Sequence, residues 1–282
     1  MTRFVLDLCQ FDSVLADVPA NAQRIAAYAA RSNATLLVTP ELSLTGYDLG
    51  DAAAELARPV SIGEPLPGTE PIATVAPAVV VGLPELDRSG IVYNTLVVLE
   101  GGTVRFRHRK VYLPTYGMFD EGRFFGRGQE IEPFTIGGWR IGFLVCEDFW
   151  HPGLVYVLAA SHIDLLVVTA SSPGRGGPAD GDAMRFASMV VWERIARTTA
   201  QLYGMHVALV NRCGVEGAVT YGGGSLVAGP DGEIVARAPA FEEACLTVEL
   251  ARDVVFEARR PFAHARDEDV RLMRALLDRL DA

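Results

Sequence analysis

Three residues in this sequence have side chains suited to acyl transfer, and each stands at the end of a predicted strand: Cys146, Lys110 and Glu41. Cys146 closes the run Gly142-Phe143-Leu144-Val145 and is followed by Glu147-Asp148-Phe149-Trp150 and a Pro152-Gly153 helix start. A thiol at a strand-to-helix turn can be exposed at the mouth of a pocket, where neighbouring backbone N–H groups are free to bind an oxyanion. Two acids directly after a thiol raise its pKa, so reactivity calls for a cation nearby. Lys110, at the end of a basic strand and ahead of the stiff turn Leu113-Pro114, is the candidate. Glu41 follows Pro40, and a carboxylate buried there would be costly without a partner. A thiolate to attack a carbonyl, a carboxylate to move protons and an ammonium to stabilise the oxyanion are what amide hydrolysis requires. On spacing alone, core packing competes with this reading.

The elements that must position these residues are short apolar runs rich in Val, Ile and Leu. Strands are predicted at 4–9, 35–39, 78–83, 91–99, 103–108, 140–146, 164–169, 206–211, 225–228 and 244–250. Several are continuous rather than alternating, which implies burial on both faces. Val18, Ala22, Ile25, Ala26 and Ala29 share one face of a first helix, and another begins at Pro152. Met184, Ala187, Val191, Ile195 and Thr198 mark a longer helix over 182–201, and a C-terminal helix at about 267–281 carries Val270, Met273, Leu276, Leu277 and Leu280 as an apolar stripe. Helices alternating with strands must cover sheet faces, and sites form at the ends of buried strands.

The chain of 282 residues is half apolar and 21% charged, a composition able to bury a large core. No linker-like segment divides it, so one domain over 1–282 is expected. A net charge of −10 argues against nucleic acid or an anionic membrane as a partner. The basic run 105–110 is expected to be a surface strand except at Lys110. The N-terminus has no signal-peptide pattern, and no run approaches the roughly 18 apolar residues of a membrane span, so a cytoplasmic location is expected. The four cysteines lack CxxC spacing, so reduced thiols are expected, with Cys9, Cys213 and Cys245 as packing residues. The five histidines show no HxxxH spacing, so no metal site is expected, and His151 is read as a structural residue. Gly222, Gly223 and Gly224 are read as a tight backbone approach to the pocket. Phe119, Phe149, Trp150 and Tyr221 either wall an acyl pocket or fill core, while Trp192 and Glu193 are read as packing or interface residues.

Glu41 in Pro-Glu-Leu-Ser-Leu-Thr-Gly-Tyr, Lys110 in Arg-Lys-Val-Tyr-Leu-Pro and Cys146 in Val-Cys-Glu-Asp-Phe-Trp resemble, in order and separation, the three signature segments of the nitrilase superfamily of carbon–nitrogen hydrolases. The similarity runs from the first strand to Gly223-Gly224-Ser225 and Pro230-Asp231-Gly232-Glu233. The resemblance implies an αββα sandwich, no metal or organic cofactor, and pairing into homodimers or larger assemblies. It assigns Glu41 as general base, Cys146 as nucleophile, Lys110 as oxyanion-stabilising cation, and the backbone N–H of Glu147 as the second oxyanion donor.

Residues 113–125 are further similar to the glutaminase domain of glutamine-dependent NAD synthetases. That likeness implies that Tyr116 touches substrate and that Glu121 supports the lysine; Ser172, Arg175, Phe119 and Trp150 are further candidate substrate-binding residues. There are two departures. No ATP-binding motif of a synthetase is present in the 282 residues, so no in-chain acceptor for ammonia is expected. In Ala170-Ser171-Ser172-Pro173-Gly174-Arg175-Gly176-Gly177-Pro178, Ser172 matches, but Pro178 stands where a basic residue holds the glutamine carboxylate, and Arg175 lies three residues early. The expectation is therefore an amidase on a small-molecule carboxamide, with a glutaminase or ω-amidase second and a nitrilase or carbamoyl-amine hydrolase after it.

Overall fold

The computed structural model describes residues 3–75, 77–179, 182–261 and 264–280. Its strands are β1 (Arg3–Gln10), β2 (Leu36–Val38), β3 (Ala78–Leu86), β4 (Val92–Glu100), β5 (Thr103–Arg109), β6 (Phe134–Ile136), β7 (Trp139–Val145) and β8 (Leu165–Ala170). There follow β9 (Pro178–Ala179), β10 (Asp182–Phe186), β11 (His206–Asn211), β12 (Cys213–Glu216), β13 (Val219–Gly222), β14 (Leu226–Ala228), β15 (Ile234–Arg237) and β16 (Ala244–Ala251). The helices are α1 (Val18–Ala29), α2 (Ala52–Leu56), α3 (Glu121–Phe124), α4 (Pro152–Ala160), α5 (Ala187–Tyr203), α6 (Arg252–Arg259), α7 (His264–Asp267) and α8 (Val270–Asp278).

Two six-stranded sheets form the frame, one ordered β16-β1-β2-β3-β4-β5 and the other β15-β14-β11-β8-β7-β6. The central pairs β1/β2, β2/β3, β7/β8 and β8/β11 are parallel, and the outer pairs are antiparallel. Alternation along β1 sends Phe4, Leu6 and Leu8 into the core shared with Ile141, Phe143, Val167 and Val207 of the second sheet. Cys9 and its neighbours face the other way, against Ala22, Ile25 and Ala29 of α1. On the far side, α4 packs so closely on β7 that a Cβ at Gly142 would lie 2.9 Å from Leu158 and Ile163. Helix on sheet on sheet on helix is the αββα sandwich.

Several expectations are corrected. Cys9 and Cys245 are not reduced thiols: they are direct cross-strand partners of β1 and β16 and are joined as a disulfide, leaving Cys146 and Cys213 free. The helix expected over 182–201 starts at Ala187, because Asp182–Phe186 pair with Pro178–Ala179 as a strand. The basic run is not simply a surface strand. His108 is buried against Asp148, and Arg107 and Arg109 both pair with the buried Glu85. The final helix is shorter than expected, at Val270–Asp278, and its apolar stripe is exposed. Gly223 does make a close backbone approach, but against Gln10, where a Cβ would lie 2.4 Å from the side-chain amide.

Candidate active site

Glu41 leaves the end of β2 in a chain path that crosses β3 at close range. A Cβ at Gly82 of β3 would stand 2.3 Å from the Leu42 nitrogen, so only glycine allows the Glu41–Leu42 backbone to pass. Leu42 itself sits at a φ of +49°, an uncommon conformation for a branched side chain that turns the segment sharply after the carboxylate. Glu41 is buried and fully engaged. Its Oε1 accepts from Asn94 Nδ2 at 2.9 Å and Lys110 Nζ at 2.8 Å, and its Oε2 accepts from the Ser171 N–H at 2.8 Å.

Lys110 follows β5 and is wholly buried, with its Nζ donating to Glu41 Oε1 and, at 2.7 Å, to Glu121 Oε1. Burial alone would lower the ammonium pKa, but the Glu121 and Glu41 carboxylates outweigh it and hold the group well above its ordinary value. Glu121, at the start of α3, is pushed up to about 7 by burial and by Glu41, against the pull of Lys110. Two carboxylates thus share one ammonium. Tyr47 adds a third contact by donating its hydroxyl to the same Glu121 oxygen that Lys110 reaches.

Cys146 comes from the other sheet. It follows β7 and begins the 3-10 turn Cys146–Trp150 at a φ of +47°. A non-glycine residue in that region costs on the order of 1–3 kcal/mol and persists only where the surroundings impose it. Asp148 imposes it here. One buried carboxylate accepts from the N–H groups of Val111 and Tyr112 at 2.9 and 2.8 Å, from the Val145 N–H at 3.1 Å, and contacts His108 Nε2 at 3.0 Å. The strand end that carries Lys110 and the turn that carries the thiol are therefore pinned to one side chain. Burial and the Glu41 carboxylate push the thiol well above its usual range, and the Lys110 ammonium pulls it down.

Around this centre, Tyr116 is half exposed and donates to Glu147 Oε2 at 2.8 Å, while Phe119 meets the rings of Tyr116 and Tyr47 edge-on. The Arg175 guanidinium lies 4.8 Å above the Phe119 ring. Ser172 gives its N–H to Asn211 Oδ1, and its hydroxyl accepts from Trp192 Nε1 at 2.8 Å. Trp150 packs edge-on against Trp192. Glu41, Lys110 and Glu121 thus form one bonded cluster whose charges act on the Cys146 thiol, and Tyr116, Glu147, Phe119 and Arg175 form a connected group beside it. Ser172 and Trp150 meet at Trp192. His151 stacks on Tyr112 with ring centroids 3.4 Å apart.

Sequence reasoning missed Asn94, Ser171, Tyr47 and Asp148. Tyr47 ends the Pro-Glu-Leu-Ser-Leu-Thr-Gly-Tyr segment, and Ser171 directly precedes the recognised Ser172, so both lay within motifs already in view. Asn94, in the middle of β4, gave no signal beyond being a polar residue in an apolar run. Among the described residues no group of His, Cys, Asp or Glu is arranged to hold a metal ion. No helix among them is long and apolar enough to cross a membrane.

An αββα sandwich with a thiol on a left-handed turn and a buried Glu–Lys pair at its strand ends marks the nitrilase-like class of hydrolases. The carbon–nitrogen hydrolase family model matches residues 7–260, and the chain belongs to that family, whose enzymes act on carbon–nitrogen bonds other than peptide bonds. The chain is 33% identical over 256 residues to the glutamine-dependent NAD(+) synthetase of Rhodobacter capsulatus, a match covering 89% of this chain and 44% of that protein. It therefore spans less than half the length of that relative. It is 29% identical over 254 residues to a hydrolase encoded in the pqqF 5' region of Pseudomonas protegens, covering 86% of this chain and 81% of that one. Among solved structures, an amidase variant from Nesterenkonia sp. AN1 is similar, with 25% identity, a TM-score of 0.74, and coverage of 94% of this chain and 97% of that one.

Proposed function

We propose that this chain hydrolyses the carboxamide of a small molecule to a carboxylic acid and ammonia through a thioester at Cys146. The observation that carries the reading is the wholly buried Lys110 ammonium, bonded to Glu41 and Glu121 and acting on a free thiol at a strained turn. Glu41 takes the Sγ proton, and the thiolate attacks the carbonyl carbon. The oxyanion is stabilised by Lys110 and by the N–H of Glu147, one of the leading N–H groups of the turn that lack an internal partner. Glu41 returns its proton to the nitrogen as the C–N bond breaks, releasing ammonia. It then takes a proton from water, whose oxygen attacks the thioester and expels the thiolate, which is reprotonated. In the E41Q mutant of the Nesterenkonia amidase the acetamide moiety of fluoroacetamide is covalently added at the active-site cysteine, which supports a nucleophilic thiol here.

A glutaminase is the second reading, favoured by the synthetase relatives and by the Arg175 guanidinium poised over Phe119 beside Tyr116. Arg175 has no carboxylate partner among the described residues, so it is a cation available to an acidic substrate. We also propose a single catalytic domain, a cytoplasmic location and a homodimer, the last supported by the exposed Leu272, Leu276 and Leu277 of α8.

Ammonia release is measured over simple aliphatic and aromatic amides, glutamine, carbamoyl-amines and nitriles, with Cys146→Ala as control. Turnover of simple amides that is lost in the variant is the expected result. Glutamine turned over faster than every simple amide makes the second reading the first. Wild-type turnover that survives Cys146→Ala removes the thioester mechanism.

A further inference from the structure

We propose that Tyr47 is a positioning residue of this site: its hydroxyl, set in place by the buried Glu216–Arg212 pair, fixes the Glu121 carboxylate that centres the Lys110 ammonium. The inference rests on the amidase reading for its role in turnover, but its geometry stands apart from any substrate.

Glu121 has one occupied oxygen and one bare one. Its Oε1 accepts from both Lys110 Nζ and the Tyr47 hydroxyl, whereas Oε2 is buried with no hydrogen-bond partner among the described residues. With both donors on one oxygen, the carboxylate rotamer depends on their joint placement, since no described residue holds the other oxygen. Lys110 is already shared with Glu41, so Tyr47 is the donor that belongs to Glu121 alone.

Tyr47 is in turn held from outside the cluster. Its N–H and that of Asp48 point at the Glu216 carboxylate, at 3.2 and 2.8 Å from Oε1. Glu216 is buried, and Arg212 Nη1 reaches its Oε2 at 2.6 Å. Arg212 is itself fixed, with Nη2 on Asp12 Oδ1 at 2.7 Å and the Ser13 carbonyl at 2.8 Å, and its guanidinium 4.7 Å above the Tyr221 ring. The residue before Tyr47 must be glycine for this to fit. Gly46 has a φ of +79°, and a Cβ there would lie 2.8 Å from Glu216 Oε2. The Arg212–Glu216 pair sits at the β12 hairpin, yet its effect is to place a phenol against an active-site acid.

The charged and titratable groups facing Glu121 are Lys110, Glu41 and Tyr47, and its charge also acts on the Cys146 thiol. A donor to the ionised carboxylate favours that form, so removing the hydroxyl raises the pH at which Glu121 takes up a proton. The test needs no substrate. The rate of iodoacetamide alkylation at Cys146, assigned by peptide mass spectrometry, is followed against pH in the wild type, Tyr47→Phe and Glu121→Gln. The wild type is expected to show an inflection where Glu121 titrates, and Glu121→Gln to lack it. In Tyr47→Phe the inflection moves up by roughly one pH unit. Phenylalanine keeps the ring against Phe119, and a thermal midpoint near the wild type's checks that the fold is retained. An inflection that stays in place in Tyr47→Phe overturns the proposal, as does a wild-type profile that Glu121→Gln leaves unaltered. Absence of amide turnover in the wild type would sink the amidase reading while leaving this result to stand.

Discussion

The two sheets carry the same pairing pattern. Taken as β16-β1-β2-β3-β4-β5 and β6-β7-β8-β11-β14-β15, each runs antiparallel, parallel, parallel, antiparallel, antiparallel. Their contributions to the site nevertheless differ in kind. The first sheet supplies charge, with Glu41 after β2 and Lys110 after β5. The second supplies the thiol after β7 and the backbone N–H of Ser171 after β8. The equivalent ends of β2 and β8 are tied directly, since the Ser171 hydroxyl also donates to the Glu41 carbonyl at 3.0 Å. Repetition of the scaffold thus provides two rows of parallel strand ends, and the division of labour lies in the residues that follow them.

The comparison breaks most completely at the thiol. Under the proposed mechanism, Cys146→Ala is expected to lower ammonia release by at least about a thousandfold with little change in stability, because it removes only the proposed nucleophile. On the charged side the expectation is reversed in kind. Lys110→Met leaves Glu41 and Glu121 buried without their cation, so it should cost about 3–5 kcal/mol in urea unfolding as well as activity. Asp148→Asn joins the two sides. It weakens the contacts that pin the turn to the 110–112 segment, and a loss of about 1.5–3 kcal/mol with a fall in turnover is expected. The Arg3–Glu249 pair, well exposed on both sides, marks the bottom of the scale, and Arg3→Ala should change stability by less than about 1 kcal/mol.

Much of the frame was legible because most of its strands are continuous apolar runs with clear punctuation. The strand expected at 206–211 is β11, and the expected starts at 78 and 103 are those of β3 and β5. Phe134–Ile136 and Ile234–Arg237 were missed because these edge strands are short and only partly buried, unlike the wholly buried apolar runs Leu36–Val38 and Leu226–Ala228. The Cys9–Cys245 bond was illegible for a different reason: its partners are 236 residues apart and meet only through the β1/β16 register. At the candidate site, the sequence marked Glu41, Lys110 and Cys146 but not the side chains that hold them. Asp148 was read as an acid that opposes thiol ionisation, whereas its carboxylate serves the backbone of the neighbouring strand end. Side-chain direction decides that role, and residue type cannot convey it.

The unequal count of charges around Lys110 has a consequence for leaving the site. With one ammonium between two carboxylates, the cluster has no spare cation for an anion once Glu121 is ionised. Under the proposed hydrolysis, an uncharged amide meets no net charge repulsion from such a cluster, whereas the carboxylate product is an anion and is repelled as it forms. Protonation of Glu121, which burial has brought up to about 7, removes one of the repelling charges. Inhibition by the product acid should therefore strengthen as the pH falls through that value, and an inhibition constant that does not change with pH would show that ejection is driven by something else.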